Sequence, residues 1–292
     1  MSDTAIAPIN NETVGGLKTD QMFINMGPQH PSTHGVLRIA LTIEGEIIKK
    51  AIPDIGYLHR GTEKLAEVRG YHHCVVLTDR WDYVSAMPNN LVFCLAAEKL
   101  MGSKIPPRAD ALRVVMCELN RIASHLLFFG TFGIDMGAFT AFLHAFRERE
   151  MVLDLFEMVC GARMTYNYIR LGGVMKDLPD AWTAKCREFL EHFKPRLKEY
   201  DDLLSFNPIF IDRTRGIGPV SAAQALDWGL TGPMLRASGV SYDVRKADPY
   251  CTYAQYDFEV PLGERGDCFD RYYCRVREMT QSVRIVEQAL DK

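Results

Sequence analysis

Two histidines, His30 and His34, are the residues whose type and spacing most directly indicate a chemical function. They lie four positions apart in the run GPQHPSTHGVLR at 27–38. On a helix this spacing is typical of a zinc pair, but Pro31 and the flanking glycines favour turns, and no glutamate stands where a zinc protease has its base. The run therefore predicts a rigid loop that carries two titratable imidazoles, with metal binding as the alternative.

A small antiparallel sheet is predicted to hold this loop. Apolar residues alternate with polar or small ones over 37–44, which is the period of a half-buried strand. A turn containing glycine follows, and residues 47–52 return as a second strand. Residues 1–20 lack both periodicity and the apolar core of a signal peptide. We therefore expect a mobile tail over 1–20 and a sheet region over 21–60.

Helical periodicity dominates the middle of the chain. Thr62 is a candidate helix cap, and the pair Pro106-Pro107 opens a long helix whose apolar residues recur at spacings of three and four. Two more amphipathic stretches, 138–160 and 182–200, continue the pattern. These segments predict a helical bundle over 61–205.

The last part of the chain, 206–292, is predicted to mix strand and helix. Apolar residues alternate with acidic ones over 256–260, which indicates a strand. From Phe269 the apolar spacing is that of an amphipathic helix, and it reaches Lys292 without a glycine or proline that would end it. We expect a chain that is short at its C-terminus.

One apolar stretch, Leu126–Phe146, is long enough to cross a bilayer. Asp135 falls near its middle, where a carboxylate costs roughly 2.5–3.5 kcal/mol on insertion scales. Gly130, Gly133 and Gly137 surround it. The sequence therefore favours a break between two buried helices over a membrane span.

Composition excludes some classes of partner. The 292 residues carry a net charge of -3, and no basic tract is present that would bind a phosphate backbone, so nucleic acid is not expected as a partner. The eight cysteines form no C-x-x-C pair and lie mostly in apolar stretches, where a thiol behaves as a small hydrophobe. A reducing, cytoplasmic setting fits this usage best.

Seven motifs together resemble one family, the quinone-site subunit (the D subunit) of the NADH-quinone oxidoreductase, respiratory complex I. They are GPQHPSTHGVLR (27–38), YLHRGTEKL (57–65), DRWDYVS (79–85), DMGA (135–138), YIR (168–170), LRASGV (235–240) and GDCFDRY (266–272). The resemblance implies an α+β fold, in which a small N-terminal antiparallel sheet precedes a helical bundle like that of nickel-iron hydrogenase large subunits. It also implies that about a hundred C-terminal residues of the family fold are absent.

Carried over by motif, the resemblance places His34 and Tyr83 at the quinone headgroup and makes Asp135 the partner of His34. His30, Arg60 and Arg80 would lie near the quinone site or the terminal iron-sulfur cluster. Quinone reduction consumes two electrons and two protons, so a histidine that can donate a proton and a tyrosine that donates a hydrogen bond suit the task. From the residues alone, Tyr83 could equally pack, Asp135 could cap the helix near Gly137, and the arginines could form surface ion pairs.

The same resemblance implies the partners. They are the iron-sulfur B subunit, the C subunit and the membrane H subunit, on the cytoplasmic side of the bacterial inner membrane, with membrane association through these partners. Quinone would be the substrate. NADH and the iron-sulfur clusters would be bound by other subunits, and this chain would hold no permanent cofactor and no metal. The resemblance does not choose between ubiquinone and menaquinone as the substrate, or between NADH and ferredoxin as the electron donor, because other subunits select them.

Two positions depart from the family pattern. Its members often have a histidine after Gly-Ala-Arg-Met, thought to couple the cluster's redox state to a proton, but Thr165 follows here. Threonine does not titrate near neutral pH, so that coupling is in doubt. Leu171 stands where the family often has proline.

Three other functions fit the sequence less well than quinone reduction does. A nickel-iron hydrogenase needs a pair of C-x-x-C motifs, and no cysteine occurs near residues 79–85, where the first would lie. The glycines of 216–218 lack the third glycine of a dinucleotide loop. The remaining alternative is a shortened structural or assembly component without catalytic turnover.

Overall fold

The computed structural model describes residues 20–292 and, in addition, the backbone of Thr13–Val14 and Leu17–Lys18. The predicted mobile tail lies largely outside the described residues. The chain divides into two compact units, 1–65 and 66–292. The finer division at residues 20, 60 and 205 stays a prediction.

The first unit contains two short strands, β1 (Thr13–Val14) and β2 (Leu17–Lys18), and a three-stranded antiparallel sheet. The strands of this sheet are β3 (Gln21–Met26), β4 (Arg38–Glu44) and β5 (Ile47–Asp54), in the order β3-β4-β5. The predicted hairpin is β4–β5, and its turn residue Gly45 has φ +61°, which glycine adopts without steric cost. Strand β3 was not predicted, because QMFINM is apolar without alternation.

Helices follow the sheet. They are α1 (Thr62–Val68), α2 (Tyr71–Thr78), α3 (Ala86–Met101), α4 (Pro107–Asp135), α5 (Phe139–Cys160), α6 (Trp182–Tyr200), α7 (Pro208–Thr214), α8 (Ala222–Asp227), α9 (Gly232–Ala237), α10 (Val244–Ala247) and α11 (Cys268–Leu290). A two-strand ribbon, β6 (Ile169–Arg170) and β7 (Gly173–Val174), follows α5, and a π-helical turn, 201–205, extends α6. The predicted architecture, a small sheet and then a helical bundle, is confirmed.

The long helix α4 is the centre of the second unit. Pro107 is the first residue of α4. Proline is tolerated there because a backbone N–H at the first position of a helix would have no partner within the helix. Its apolar stripe is buried from Leu112 to Phe129 and packs mainly against α5 and α11. Leu119, Ile122 and Leu126 are fully buried, and each such side chain contributes roughly 1.5–3 kcal/mol.

The strand predicted over 256–260 is wrong. Tyr256 and Phe258 are buried while Asp257 and Glu259 are exposed, so the alternation is real. The segment nevertheless pairs with no strand in the described part of the chain. Its amides instead donate to side chains of α11: the N–H of Asp257 to Gln288 Oε1 at 2.8 Å, and the N–H of Glu259 to Gln281 Oε1 at 2.9 Å. A helix surface has taken the place of a neighbouring strand.

As predicted, the apolar stretch Leu126–Phe146 forms parts of two helices rather than a single helix. Helix α4 ends at Asp135 and α5 begins at Phe139. Within residues 20–292, none of the helices combines the length and the hydropathy needed to cross a bilayer.

Candidate functional site

The two histidines lie on the loop that joins β3 to β4 in the first unit. His30 precedes a single 3₁₀ turn, Pro31–Thr33, and its Nδ1 accepts a hydrogen bond from the N–H of Ser32 at 3.1 Å. His34 follows the turn in the left-handed region, with φ 46° and ψ 48°. Both imidazoles are exposed. The prediction of a turn-rich loop is confirmed, and the two side chains stand at opposite ends of the turn.

The ends of this loop are held close together. Met26 and Ile39 are paired across the sheet, and a Cβ at Gly27 would lie 2.1 Å from the Leu37 carbonyl oxygen, so only glycine fits there. Beside this pair, the Arg38 guanidinium donates to Asn25 Oδ1 at 2.9 Å and to Asp54 Oδ2 at 2.8 Å. One side chain therefore joins all three strands at the base of the histidine loop.

Arg60 follows β5 in an exposed segment that leads to α1. The neighbouring His59 folds back, and its Nδ1 accepts a hydrogen bond from the N–H of Gly61 at 3.2 Å. Gly61 has φ +63°, and its carbonyl accepts the N–H of Leu65 at 2.9 Å. Thr62 is thus the first residue of α1 and not its cap.

Tyr83 lies on the turn between α2 and α3 in the second unit. Tyr83 is 50 % exposed, and Trp81 is 53 % exposed. Asp82 shapes the turn: its Oδ1 accepts the N–H of Val84 at 3.1 Å, and its carbonyl accepts the N–H of Ser85 at 3.0 Å. The turn therefore presents the phenol outwards on an ordered backbone.

Two buried asparagines that sequence reasoning missed hold the ends of this turn. Asn90 Nδ2 donates to the Val75 carbonyl at 3.1 Å and to Thr78 Oγ1 at 2.9 Å. Asn120, on α4, donates from Nδ2 to the Val84 carbonyl at 3.1 Å. The sequence could have indicated Asn120, because this residue lies among apolar neighbours on the buried stripe of α4. A polar side chain at such a position needs a hydrogen-bond partner.

Arg80 and Asp79 begin the same turn. Arg80 Nη1 donates to the Val76 carbonyl at 2.7 Å near the end of α2, and it lies 3.6 Å from Asp79 Oδ2. Asp79 is fully buried, and this desolvation raises the pKa of its carboxyl. This hydrogen bond satisfies the carbonyl of Val76, which lies in the last turn of α2. Arg80, which was predicted to lie near the quinone site, thus has a structural role at the end of α2.

Asp135 is the last residue of α4. The helix closes in a Schellman-type end: Gly137 has φ +87°, and the N–H of Ala138 donates to the Gly133 carbonyl at 2.7 Å. Gly133 also permits close packing, since a Cβ there would lie 3.0 Å from Ala141 Cβ. The N-cap of α5 is Ala138, three residues after Asp135.

Buried charges form a separate network around α4. Glu118 accepts from Arg245 Nη1 at 3.0 Å, from the Tyr253 hydroxyl at 2.6 Å and from Ser282 Oγ at 2.7 Å. Burial alone would raise the pKa of Glu118, but Arg121, Arg245 and these hydroxyls hold it at about 2. The carboxylate is thus ionised and enclosed, as expected of a group that joins helices.

A second buried group lies on α4 one turn beyond Arg121. His125 Nε2 is 2.8 Å from Glu278 Oε2, and Arg236 Nε donates to the other oxygen of Glu278 at 3.0 Å. Burial lowers the pKa of His125, although Glu278 opposes the shift. The imidazole is 9 % exposed, which leaves little access for a substrate.

No cluster of three or more His, Cys, Asp or Glu side chains within 20–292 has the geometry to hold a metal ion. All eight cysteines are free thiols, and five of them are buried. Burial raises the pKa of Cys94 and Cys186 to about 12, so these thiols are poor metal ligands and nucleophiles at neutral pH.

The predicted residues fall into three groups. His30 and His34 share one loop of the first unit, which also carries Arg60 on a separate segment. Arg80 and Tyr83 share one turn of the second unit. Asp135 lies at the end of α4, the same helix that contacts the Tyr83 turn through Asn120.

Comparison with known proteins gives one consistent family. Residues 135–292 match the family model "Respiratory-chain NADH dehydrogenase, 49 Kd subunit". The D subunit of NADH-quinone oxidoreductase from Bacillus cytotoxicus is 54% identical over 276 residues, which are 94% of this chain and 75% of the relative. The D subunit from Geotalea uraniireducens is 54% identical over 273 residues, which are 94% of this chain and 70% of that relative. The chain therefore belongs to the family of the 49-kDa subunit of respiratory-chain NADH dehydrogenase, which in bacteria is the D subunit of NADH-quinone oxidoreductase.

Proposed function

We propose that this chain is the quinone-site subunit of a proton-translocating NADH-quinone oxidoreductase and works only within that complex. The observation that carries the proposal is the identity of more than half the residues over 94% of the chain to proteins of that name. The exposed Tyr83 turn and the exposed histidine loop add support, because both present hydrogen-bonding groups on ordered backbone.

Quinone reduction sets the chemistry that these groups would perform. Each carbonyl oxygen gains negative charge as electrons arrive, and a positioned donor stabilises that charge before a proton is transferred. We assign the proton-donating role to His34, because an imidazole nitrogen can carry a proton and pass it to an acceptor. Tyr83 would donate a hydrogen bond from its phenol hydroxyl. His30, Arg60 and Arg80 would support the headgroup site or face the cluster-bearing neighbour.

Asp135 would couple protonation at the quinone to proton translocation. The DMGA motif, and the place of Asp135 at the end of α4, the helix that contacts the Tyr83 turn through Asn120, support this role.

Electrons would reach the quinone from partner subunits. The iron-sulfur B subunit would carry the terminal cluster, the C subunit would pack beside it, and the membrane H subunit would contribute the rest of the quinone channel. NADH oxidation would take place on other subunits. The chain would sit on the cytoplasmic side of the bacterial inner membrane and contact it through these partners.

Affinity purification from the native cells tests complex membership. The tagged full chain is expected to copurify with the cluster-bearing and membrane subunits, and the eluate should reduce quinone in an inhibitor-sensitive manner. The matched control is the same tag on an unrelated cytoplasmic protein. A chain recovered alone and without redox activity would overturn the proposal.

A further inference from the structure

We propose that Asn120, on α4, is a positioning residue that fixes the Tyr83 turn and thereby aims the Tyr83 hydroxyl at its substrate. The inference rests on the proposed function, because it needs Tyr83 to contact quinone.

The two polar atoms of the Asn120 side chain reach opposite sides of the junction between the Tyr83 turn and α3. Nδ2 donates to the Val84 carbonyl at 3.1 Å, and Oδ1 accepts the N–H of Met87 at 3.0 Å. Asn120 is only 2 % exposed, so water does not compete for these bonds. The amide thus spans the junction with both of its hydrogen-bonding groups satisfied.

Helix α3 lacks an ordinary N-cap. Its N-cap residue, Ser85, makes no side-chain cap hydrogen bond, and the third position is Pro88, which has no N–H. The N–H of Met87 would therefore need a partner at this buried helix start. Asn120 supplies that partner from another helix, so the start of α3 is fixed to α4.

Because Tyr83 is half exposed, it receives limited packing, so the direction of its phenol depends on its backbone. The residue that follows it, Val84, is the one whose carbonyl Asn120 holds. Helix α4 is in turn fixed by the buried Glu118–Arg245 pair two residues away. Asn120 therefore transmits the rigidity of the bundle to an exposed phenol.

The test uses the assembled complex from cells that carry a variant chain. Asn120→Ala removes both bonds, and Asn120→Asp keeps the size of the side chain and an oxygen that can accept the N–H of Met87. Turnover with a short-chain quinone gives kcat/KM, and NADH oxidation by ferricyanide counts the electron-input sites. Ser282→Ala is the matched control, because it removes a buried hydrogen bond to Glu118 on the same helix without touching the Tyr83 turn.

We expect Asn120→Ala to lower kcat/KM for quinone roughly tenfold, with the ferricyanide rate unchanged. Asn120→Asp should recover part of the loss, and Ser282→Ala should stay within about twofold of the unmodified chain. A chain that also carries Tyr83→Phe separates positioning from general stability. In that background Asn120→Ala should cost no more than about twofold, because the hydroxyl that it positions is gone.

Equal losses in both backgrounds would overturn the inference, since they would mean that Asn120 supports only the fold. A loss in Tyr83→Phe but none in either Asn120 variant would overturn the inference and leave the proposed function standing. No loss in Tyr83→Phe would instead remove Tyr83 from the quinone site, and the inference would fail with it. If Asn120→Ala does not assemble, the comparison rests on Asn120→Asp in the two backgrounds.

Discussion

The carboxylate of Asp79 accepts a hydrogen bond from the backbone N–H of Asn167 at 3.3 Å. This contact joins the turn that carries Tyr83 to the loop after α5, 88 residues later in the chain. It thus connects the motif around Tyr83 with a residue two positions after Thr165, where the chain departs from the family pattern. Asp79 is fully buried, and its other oxygen, Oδ2, makes no hydrogen bond within the described residues.

The first prediction concerns the pH dependence of stability at Asp79. Burial raises the pKa of this carboxyl in the folded chain, with the Asn167 N–H opposing the shift. The folded state therefore binds the proton more tightly than the unfolded state, and stability is lost as pH rises through the folded pKa. Asp79→Asn removes this loss, so its melting temperature should rise relative to the unmodified chain between about pH 4 and pH 8.

Thermal unfolding of the purified chains across that pH range measures the difference. Asp180→Asn, which removes a charge from the surface of the same unit, is the matched control. A difference between Asp79→Asn and the unmodified chain that stays constant with pH would contradict the account of Asp79.

The second prediction concerns backbone strain at Thr165. Thr165 has φ 53° and Asn167 has φ 44°, and the left-handed region is unfavourable for a β-branched residue but tolerated by asparagine. Thr165→Asn should therefore stabilise the chain by about 1 kcal/mol. Thr165→Val keeps the branched Cβ and should give no gain. Denaturant unfolding compares the three chains, and a loss of stability in Thr165→Asn would show that the conformation carries no such strain.

The third prediction concerns the buried pair Glu118–Arg245. Removing one member leaves the other charge buried and unpaired, so Arg245→Met should cost about 3–5 kcal/mol. The pKa of Glu118, about 2 in the folded chain, lies below its ordinary value, so its contribution is present above the ordinary pKa and is lost as pH falls towards about 2.

Acid unfolding of Glu118→Gln checks this sign. That variant should be less stable at neutral pH, and its stability should fall less steeply between about pH 5 and pH 2 than that of the unmodified chain. Parallel pH profiles would mean that Glu118 is not an ionised member of the network.

The sequence alone was sufficient to predict the helices, helix ends and turns that depend on local patterns. The long helix from Pro107, the break after Asp135 and the hairpin β4–β5 were all predicted, because each follows from spacing and from glycine or proline. The strand expected over 256–260 was wrong because its partner turned out to be the glutamines of α11, and a period of two does not distinguish a strand from an extended segment on a helix.

The candidate site was predictable only in part. Resemblance supplied His34, Tyr83 and Asp135, while their local settings needed the structure. Asn120 and Asp79 were missed since their importance lies in contacts with residues distant in the chain, at Val84 and Asn167. Nothing in the local spacing of either residue indicates which backbone group it holds.

The fourth prediction concerns Asp135. Asp135→Asn keeps the size of the side chain but cannot take up or release a proton near neutral pH. Quinone reduction by the assembled complex should fall by roughly tenfold or more, while ferricyanide reduction per complex is retained. Asp212→Asn, on α7 of the same unit, is the matched control and should retain both activities. Unchanged quinone turnover in Asp135→Asn would remove this residue from the proposed proton path.

The most direct test of the quinone-site claim is the kcat/KM for quinone of a complex that carries Tyr83→Phe, measured beside its ferricyanide rate. Tyr242→Phe, another partly exposed tyrosine of the same unit, is the control for loss of a phenol hydroxyl. We predict a fall of roughly tenfold or more in quinone kcat/KM for Tyr83→Phe alone, with ferricyanide reduction intact in both variants. Equal quinone turnover in Tyr83→Phe, Tyr242→Phe and the unmodified complex would contradict the placement of Tyr83 at the quinone headgroup.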